Sequence, residues 1–259
     1  MKKKLFFILS GLFLVLAIFA SLKYGAVKSS WSDVVAAFHD YDAQNSIQLM
    51  IRQLRIPRTM ASVVVGAAFA VSGSLMQGVT NNPLADSGLL GINAGAGLGL
   101  ALVFAIMPSP RPSVTILASF VGAGIALSII YVASNRVIFA HSSVRMILLG
   151  AAISSFFTAI SQSISLFFNL NQDITFWLVG GTGNVTGPQV KLAFPIIILG
   201  VLGACFYSRE ISLLSMGDET AISLGKNPQK IREKALLCVL LLAGTAVSLV
   251  GTISFLGLI

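Results

Sequence analysis

Two apolar runs, Pro57 to Val79 and Leu89 to Met107, flank one short polar loop around Pro83, and neither holds an ionisable group near its middle. This pair constrains the fold more than any other feature of the chain. About 20 residues at roughly 1.5 Å per residue cross the hydrocarbon of a bilayer. Inside lipid each backbone amide must find its partner within the segment, so such runs are predicted to be helices. The composition agrees: 56% of residues are hydrophobic and 10% are charged, against roughly 25% charged in soluble domains.

Five further runs have the same character: Leu5–Leu22, Val114–Ser134, Met146–Phe168, Val190–Tyr207 and Ala235 to the end. The fold class predicted is therefore all-α, a polytopic transmembrane helical bundle of about seven spans, forming one domain over residues 1–259. Lys2, Lys3 and Lys4 precede the first run and are placed in the cytoplasm. The run is long for a cleaved leader, and "FASLKYG" is a poor cleavage site, so it is read as a retained helix. Pro57 suits the first turn of its helix, and "PSPRPS" at Pro108–Ser113 is a tight reversal.

With the N-terminus inside, ten of the Lys and Arg residues fall inside and seven outside, the direction the positive-inside rule requires. The net charge of +8 is accordingly assigned to orientation and contact with anionic headgroups, not to nucleic acid. Arg52, Arg55 and Arg58 lie outside against this trend, which calls for a separate reason. Between Lys23 and Arg52, "SWSDVVAAFHDY" reads as a short amphipathic helix capped by Ser30 or Ser32, with Trp31 at an interface. The segment Asn169–Gln189 reads as a re-entrant or interfacial turn on the outer face.

Gly91, Gly95 and Gly99 share one helix face, as do Gly66, Ala70 and Gly73, the pattern of helices that approach closely in lipid. Ser154, Thr158, Gln162 and Ser165 step by three and four along another helix. They serve either as interhelical hydrogen bonds or as a wet face lining a pathway for a polar solute. Cys205 and Cys238 sit inside apolar runs as packing residues. His39 and His141 lie far apart, and no metal-ligand spacing is present.

Arg209–Lys234 is a cytoplasmic loop. Asp218 and Glu219 open a short helix, where carboxylates favour the dipole. Gly225 fits its C-terminal stop, and Pro228 follows. No phosphate-binding loop exists: "LGKN" lacks the required upstream glycine and hydroxyl residue, and "GINAGAGLG" does not follow a strand. Nor is a nucleophile–base arrangement visible, so no catalytic residue is assigned and the chain is not read as an enzyme.

The stretch Gln53–Leu102, opening on R-I-P-R and carrying "NNPLAD", resembles the FecCD-type permeases of ABC importers for iron-siderophores, haem and cobalamin. Gly217–Gly225, an acidic residue, then Ala, then a terminal Gly, resembles the coupling loop of ABC permeases. The resemblance implies a bundle of about ten helices in the cytoplasmic membrane of a bacterium. It also implies a second permease copy or paralogue, two ATPase subunits carrying ATP and Mg, and an extracytoplasmic substrate-binding protein. By resemblance, Arg55 and Arg58 dock the binding protein. Asn82, Leu84, Ser142 and Ser143 belong to a cytoplasmic gate. Gly217, Asp218, Glu219, Ala221, Leu224 and Gly225 couple to the ATPase. No cofactor is expected on the chain itself. "GTISFLGLI" matches the family where its sequence continues with a Val-Pro-His element and three more helices, so a C-terminally truncated chain is expected. The alternatives are a secondary carrier, disfavoured by the charge-free helix centres, and an intramembrane enzyme, disfavoured by the lack of paired carboxylates or a reactive Cys.

Overall fold

The computed structural model describes residues 2–135, 143–170 and 180–253. Ser142, His141, most of "FWLVG" and all but the first three residues of "GTISFLGLI" lie outside the described residues. Among the described residues there are helices and turns and no strand. Among the described residues six helices are long and apolar enough to cross a membrane by length and composition. A seventh apolar helix, Ile92–Ile106, is shorter.

The first helix, α1 (Lys2–Lys23), faces outward along most of its length, and only 6% of its apolar window is buried. Lipid is the environment its phenylalanines require. A capped turn follows. Ser30 accepts from the backbone N–H of Asp33, and the Asp33 carboxylate accepts from the backbone N–H of Ser30, a complete capping box that starts α2 (Trp31–His39). This satisfies the expectation for the amphipathic helix, with Val34 and Ala37 as its buried face. Trp31 meets the edge of Phe19 at 6.3 Å and lies under the Lys23 ammonium at 4.8 Å, a mixed aromatic and cationic setting suited to the bilayer surface.

Helix α3 (Ser46–Thr80) begins a turn and more before the sequence pattern places it. Asn45 caps it by accepting from the N–H groups of Ile47 and Gln48. Pro57 does sit in the first turn of the α-helical part, Ile56–Thr80, and that part continues a longer helical stretch from Ser46. The backbone widens into a π turn over Ile51–Arg55, immediately before the proline. A wider turn accommodates a ring that has no N–H and would crowd the preceding carbonyls. Asn81, with φ 50°, ends α3 in the left-handed conformation.

The next apolar run is divided. Ser87–Leu90 form a 3-10 turn closed by Gly91 at φ 68°, and α4 (Ile92–Ile106) starts only after it. Gly91 therefore lies before the helix, not on its face. Gly95 and Gly99 do lie on the face expected. A Cβ on Gly95 would strike the Gly122 carbonyl, and one on Gly99 the Ala118 carbonyl, of α5 (Pro112–Asn135). The α4–α5 contact is thus backbone against backbone. Gly66 on α3 has nothing within 4 Å of a built Cβ, and Ala70 is exposed, so of that strip only Gly73 is buried within the chain.

Helix α6 (Ser143–Phe167) packs on α4 and α5. Helix α7 (Gly187–Leu214) begins at a Thr186–Gln189 capping box and packs on α3. The sequence pattern ends this helix at Tyr207, but it continues through the polar residues to Leu214. After the short α8 (Asp218–Ser223), Asn227 caps α9 (Pro228–Val250) with Pro228 in its first turn. Pro228 therefore opens a helix seven residues before the expected Ala235. Helix α9 is 72% buried in its apolar window and touches α3, α5 and α7, so it is the centre of the bundle. It contains the second π turn, Leu240–Gly244.

Candidate functional site

The polar features fall at the two ends of the bundle. The C-terminal ends of α3 and α7, the loop after α3, α8 and the start of α9 gather at one end. The elbow after α1 and the turn before α7 lie at the other, where the Gly181 N–H reaches the Val250 carbonyl at 2.6 Å. This matches the alternation expected from the sequence, which assigned the first end to the cytoplasm.

At the first of these ends, a cleft of ≈ 510 Å³ lies between the ends of α3 and α7. Gln77, Asn81, Asn82 and Pro83 form one wall, and Ser208 and Ser212 belong to the other. The lining is mixed, with Leu75 and Ile211 beside these polar groups, and it carries no charged side chain. Asn82 Oδ1 accepts from the Leu84 N–H at 2.9 Å, and the Ala85 N–H donates to the Asn82 carbonyl at 3.1 Å. These bonds make a tight Asx-type turn that leaves Leu84 72% exposed. The two gate residues named from sequence thus share one turn on the cleft's edge. Ser143 opens α6, and Ser142 is not among the described residues. Sequence reasoning missed Ser208, Ser212 and Ser215, although their spacing after Tyr207 marks one face of a continuing helix.

Beyond the cleft, α8 is held on both sides. Gly217 enters at φ 108° and Gly225 leaves at φ 71°. The Gly225 N–H donates to the Ile222 carbonyl and the Lys226 N–H to the Ala221 carbonyl, each at 2.9 Å. That pair is a Schellman stop, which favours glycine at its left-handed position. Asp218 accepts from Arg232 of α9 at 2.7 Å. Glu210 of α7 accepts from Lys226 and from Lys234, each at 3.0 Å. Glu233 accepts from the Tyr131 hydroxyl of α5 at 2.6 Å. Helix α8 is therefore linked by charge to α9, and α9 to α7 and α5.

One assignment inside α8 needs correction. Ala221 was expected to face the ATPase, but it is fully buried within the chain's own core. The outward apolar side chains are Met216, Ile222 and Leu224, each more than half exposed. Glu219 is also exposed. The correction follows from geometry: in so short a helix the residues beside Ala221 point away from the bundle.

On α6 the four polar residues do not share one environment. Ser165 is buried, Ser154 and Thr158 are half-buried, and Gln162 is exposed. Ser161, also buried, donates back to the Phe157 carbonyl at 2.8 Å. Most of this strip faces the neighbouring helices, and Gln162 sits at its edge.

At the outer end the two arginines separate. Arg55 is 7% exposed, and its guanidinium donates to the carbonyls of Leu22, Lys23 and Val27 and to the Ser29 hydroxyl at 2.5–2.8 Å. It is engaged within the chain, so a direct docking role does not fit its position. Arg58 is half-buried, and its Nε has no partner in the chain. Arg52 is exposed and lies over the Tyr41 ring at 4.2 Å. Nearby, the Ser30 hydroxyl and backbone N–H hold the Asp33 carboxyl below the usual carboxylate range. No group of three or more His, Cys, Asp or Glu that could hold a metal occurs among the described residues.

Comparison with known proteins places this geometry. The model of the FecCD transport family matches residues 13–259. The iron(3+)-hydroxamate import system permease protein FhuB of Bacillus subtilis is 36% identical over 97% of this chain and 66% of its own length. The "Probable siderophore transport system permease protein YfiZ" of the same organism is 34% identical over 95% of the chain and 74% of its own. The Fe(3+) dicitrate transport system permease protein FecC of Escherichia coli is 31% identical over 91% and 72%. This chain thus spans about two thirds to three quarters of the lengths of these relatives. A solved structure described as "an inward-facing conformation of a putative metal-chelate type ABC transporter" superimposes with a TM-score of 0.81. That match covers 100% of this chain and 79% of the other at 23% identity, and it supports the fold.

Proposed function

The chain belongs to the FecCD transport family, and from that premise we propose that it is the membrane-spanning permease subunit of an ATP-driven importer of ferric chelates. The carrying observation is the family match over residues 13–259. The protein is a multi-pass protein of the bacterial cytoplasmic membrane. Hydrolysis takes place on separate ATPase subunits, two per assembly, with ATP and Mg bound there. A second permease copy or paralogue completes the pathway, and an extracytoplasmic binding protein delivers the chelate.

The geometry supports a role for each end. Met216, Ile222 and Leu224 on and beside α8 offer an apolar contact to the ATPase. The ion pairs of Asp218 and Glu210 carry displacement of α8 into α9 and α7. The Asn82–Leu84 turn stands at the mouth of the cleft, placed to act as the cytoplasmic gate. Thr158 and Gln162 offer polar groups to a solute in transit. Arg58 presents a donor to an acidic group on the binding protein.

The cargo is proposed from the relatives, whose names specify iron(3+)-hydroxamate, siderophore and iron(3+)-dicitrate transport. The test is uptake by iron-starved cells lacking their own permeases and supplied with the complete system. Labelled ferric hydroxamate, ferric citrate, haem and cobalamin are offered separately. Accumulation of a ferric chelate supports the proposal. Accumulation of cobalamin or haem alone would redirect the cargo assignment.

A further inference from the structure

Arg55 is a buried cation whose acceptors are three carbonyls and one hydroxyl, with no carboxylate among them. Burying a guanidinium without a counter-charge is costly unless local dipoles replace water. Here they do. Leu22 and Lys23 form the last turn of α1, where carbonyls have no partner within the helix and the dipole is negative. Arg55 fills that vacancy from another helix. Its remaining bonds reach Val27 and Ser29, so one side chain spans the whole elbow after α1. Gly25 leaves room for it: a Cβ there would stand 3.1 Å from Nη2 and 3.2 Å from Cζ.

The attachment matters because α1 meets the rest of the chain at its outer end. Ile18 and Leu22 pack with Val34, Ala37 and Ile51, and the Ser21 and Thr59 hydroxyls lie 2.7 Å apart. Leu22, whose carbonyl Arg55 bonds, belongs to the first group, and Ser21 is the residue before it. One turn further along α3 is Arg58, half-buried, whose buried Nε has no partner in the chain.

We propose that Arg55 is a positioning residue: it caps α1, fixes the elbow Lys23–Ser29 against α3, and so sets the surface from which Arg58 alone of the two meets the binding protein. The second half rests on the docking role proposed above for Arg58; the first half does not.

Two readouts on the assembled transporter in membranes separate these halves. Hydrogen exchange of the backbone amides of residues 24–30 reports the elbow. Arg55→Gln should accelerate it at least tenfold. Arg55→Lys should do so too, because an ammonium keeps the charge but cannot span four acceptors. Gly25→Val should reproduce the effect with the arginine intact, and it carries the test if Arg55→Gln does not accumulate. Arg58→Gln should leave exchange unchanged. Binding-protein affinity, measured at two ionic strengths, reports docking. Arg58→Gln should flatten the salt dependence, whereas Arg55→Gln should lower affinity and keep the slope. Wild-type elbow exchange in both Arg55→Gln and Gly25→Val overturns the clamp. A salt slope flattened as strongly by Arg55→Gln as by Arg58→Gln overturns the division of roles. Should the wild type bind no binding protein, the docking role falls, and the exchange data still decide the clamp.

Discussion

Asp218 and Arg232 form a 2.7 Å ion pair that fastens the first residue of α8 to the second turn of α9. Both side chains are about a quarter exposed, so the pair contributes little to stability, about 1 kcal/mol or less. On the proposed function its consequence is mechanical: displacement of the short helix is expected to carry the central helix with it. Arg232→Ala should shift thermal unfolding by only a few degrees while reducing transport-coupled ATP hydrolysis severalfold. Parallel melting and ATPase assays on the assembled transporter check this. A large stability loss with normal coupling would remove the mechanical role.

The exposure pattern of α8 separates two kinds of substitution. Ala221→Glu places an unpaired carboxylate at a fully buried position, at a cost of several kcal/mol, so the permease itself should lose thermal stability. Ile222→Glu and Leu224→Glu alter side chains that are 61% and 59% exposed. They should leave the permease folded and strip away the ATPase subunits. Co-purification together with thermal unfolding distinguishes the outcomes.

Helix contact in the membrane gives a second contrast. Gly95→Val must separate α4 from α5, because its Cβ would lie 2.7 Å from Ala126 Cβ and strike the Gly122 carbonyl. Overpacking of this kind costs about 1–3 kcal/mol or more. Gly66→Ala meets nothing within 4 Å in the chain and should be neutral to within about 0.5 kcal/mol. Detergent-solubilised melting curves test the pair, and equal destabilisation by both would contradict the α4–α5 packing.

The outer helix α2 should respond to acid. The Asp33 carboxyl is held below its usual range by Ser30. A depressed pKa stabilises the cap at pH values above the carboxyl's unfolded pKa, and that contribution is lost as pH falls through the folded pKa. Amide exchange in Trp31–His39 should therefore rise on acidification, and Ser30→Ala should move the rise to higher pH. An unchanged midpoint in Ser30→Ala would exclude the capping box as its origin.

Much of this arrangement was legible in the chain. The helix centres, the Ser30 cap, the Pro108–Ser113 reversal and the stop at Gly225 each depend on local chemistry, which a sequence displays. What was hidden depends on where distant segments return. R-x-P-R puts two cations in adjoining turns, but only the folded elbow decides that Arg55 points inward. The apolar faces of Ala221 and Ile222 look alike until α7 and α9 are in place. Helices α7 and α9 outrun their apolar runs because their cytoplasmic turns are charged and held by ion pairs, which hydropathy does not register. Gly91 shares its spacing with Gly95 and Gly99, yet its positive φ sets it before the helix.

The central claim is that this permease moves a ferric chelate at the expense of ATP hydrolysed on a partner subunit. Proteoliposomes containing the permease with its partner subunits, ATP enclosed and binding protein outside, measure this directly with labelled ferric hydroxamate. The account predicts accumulation that persists when the proton gradient is collapsed and stops when enclosed ATP is replaced by a non-hydrolysable analogue. Accumulation driven by a proton gradient in the absence of ATP would contradict it.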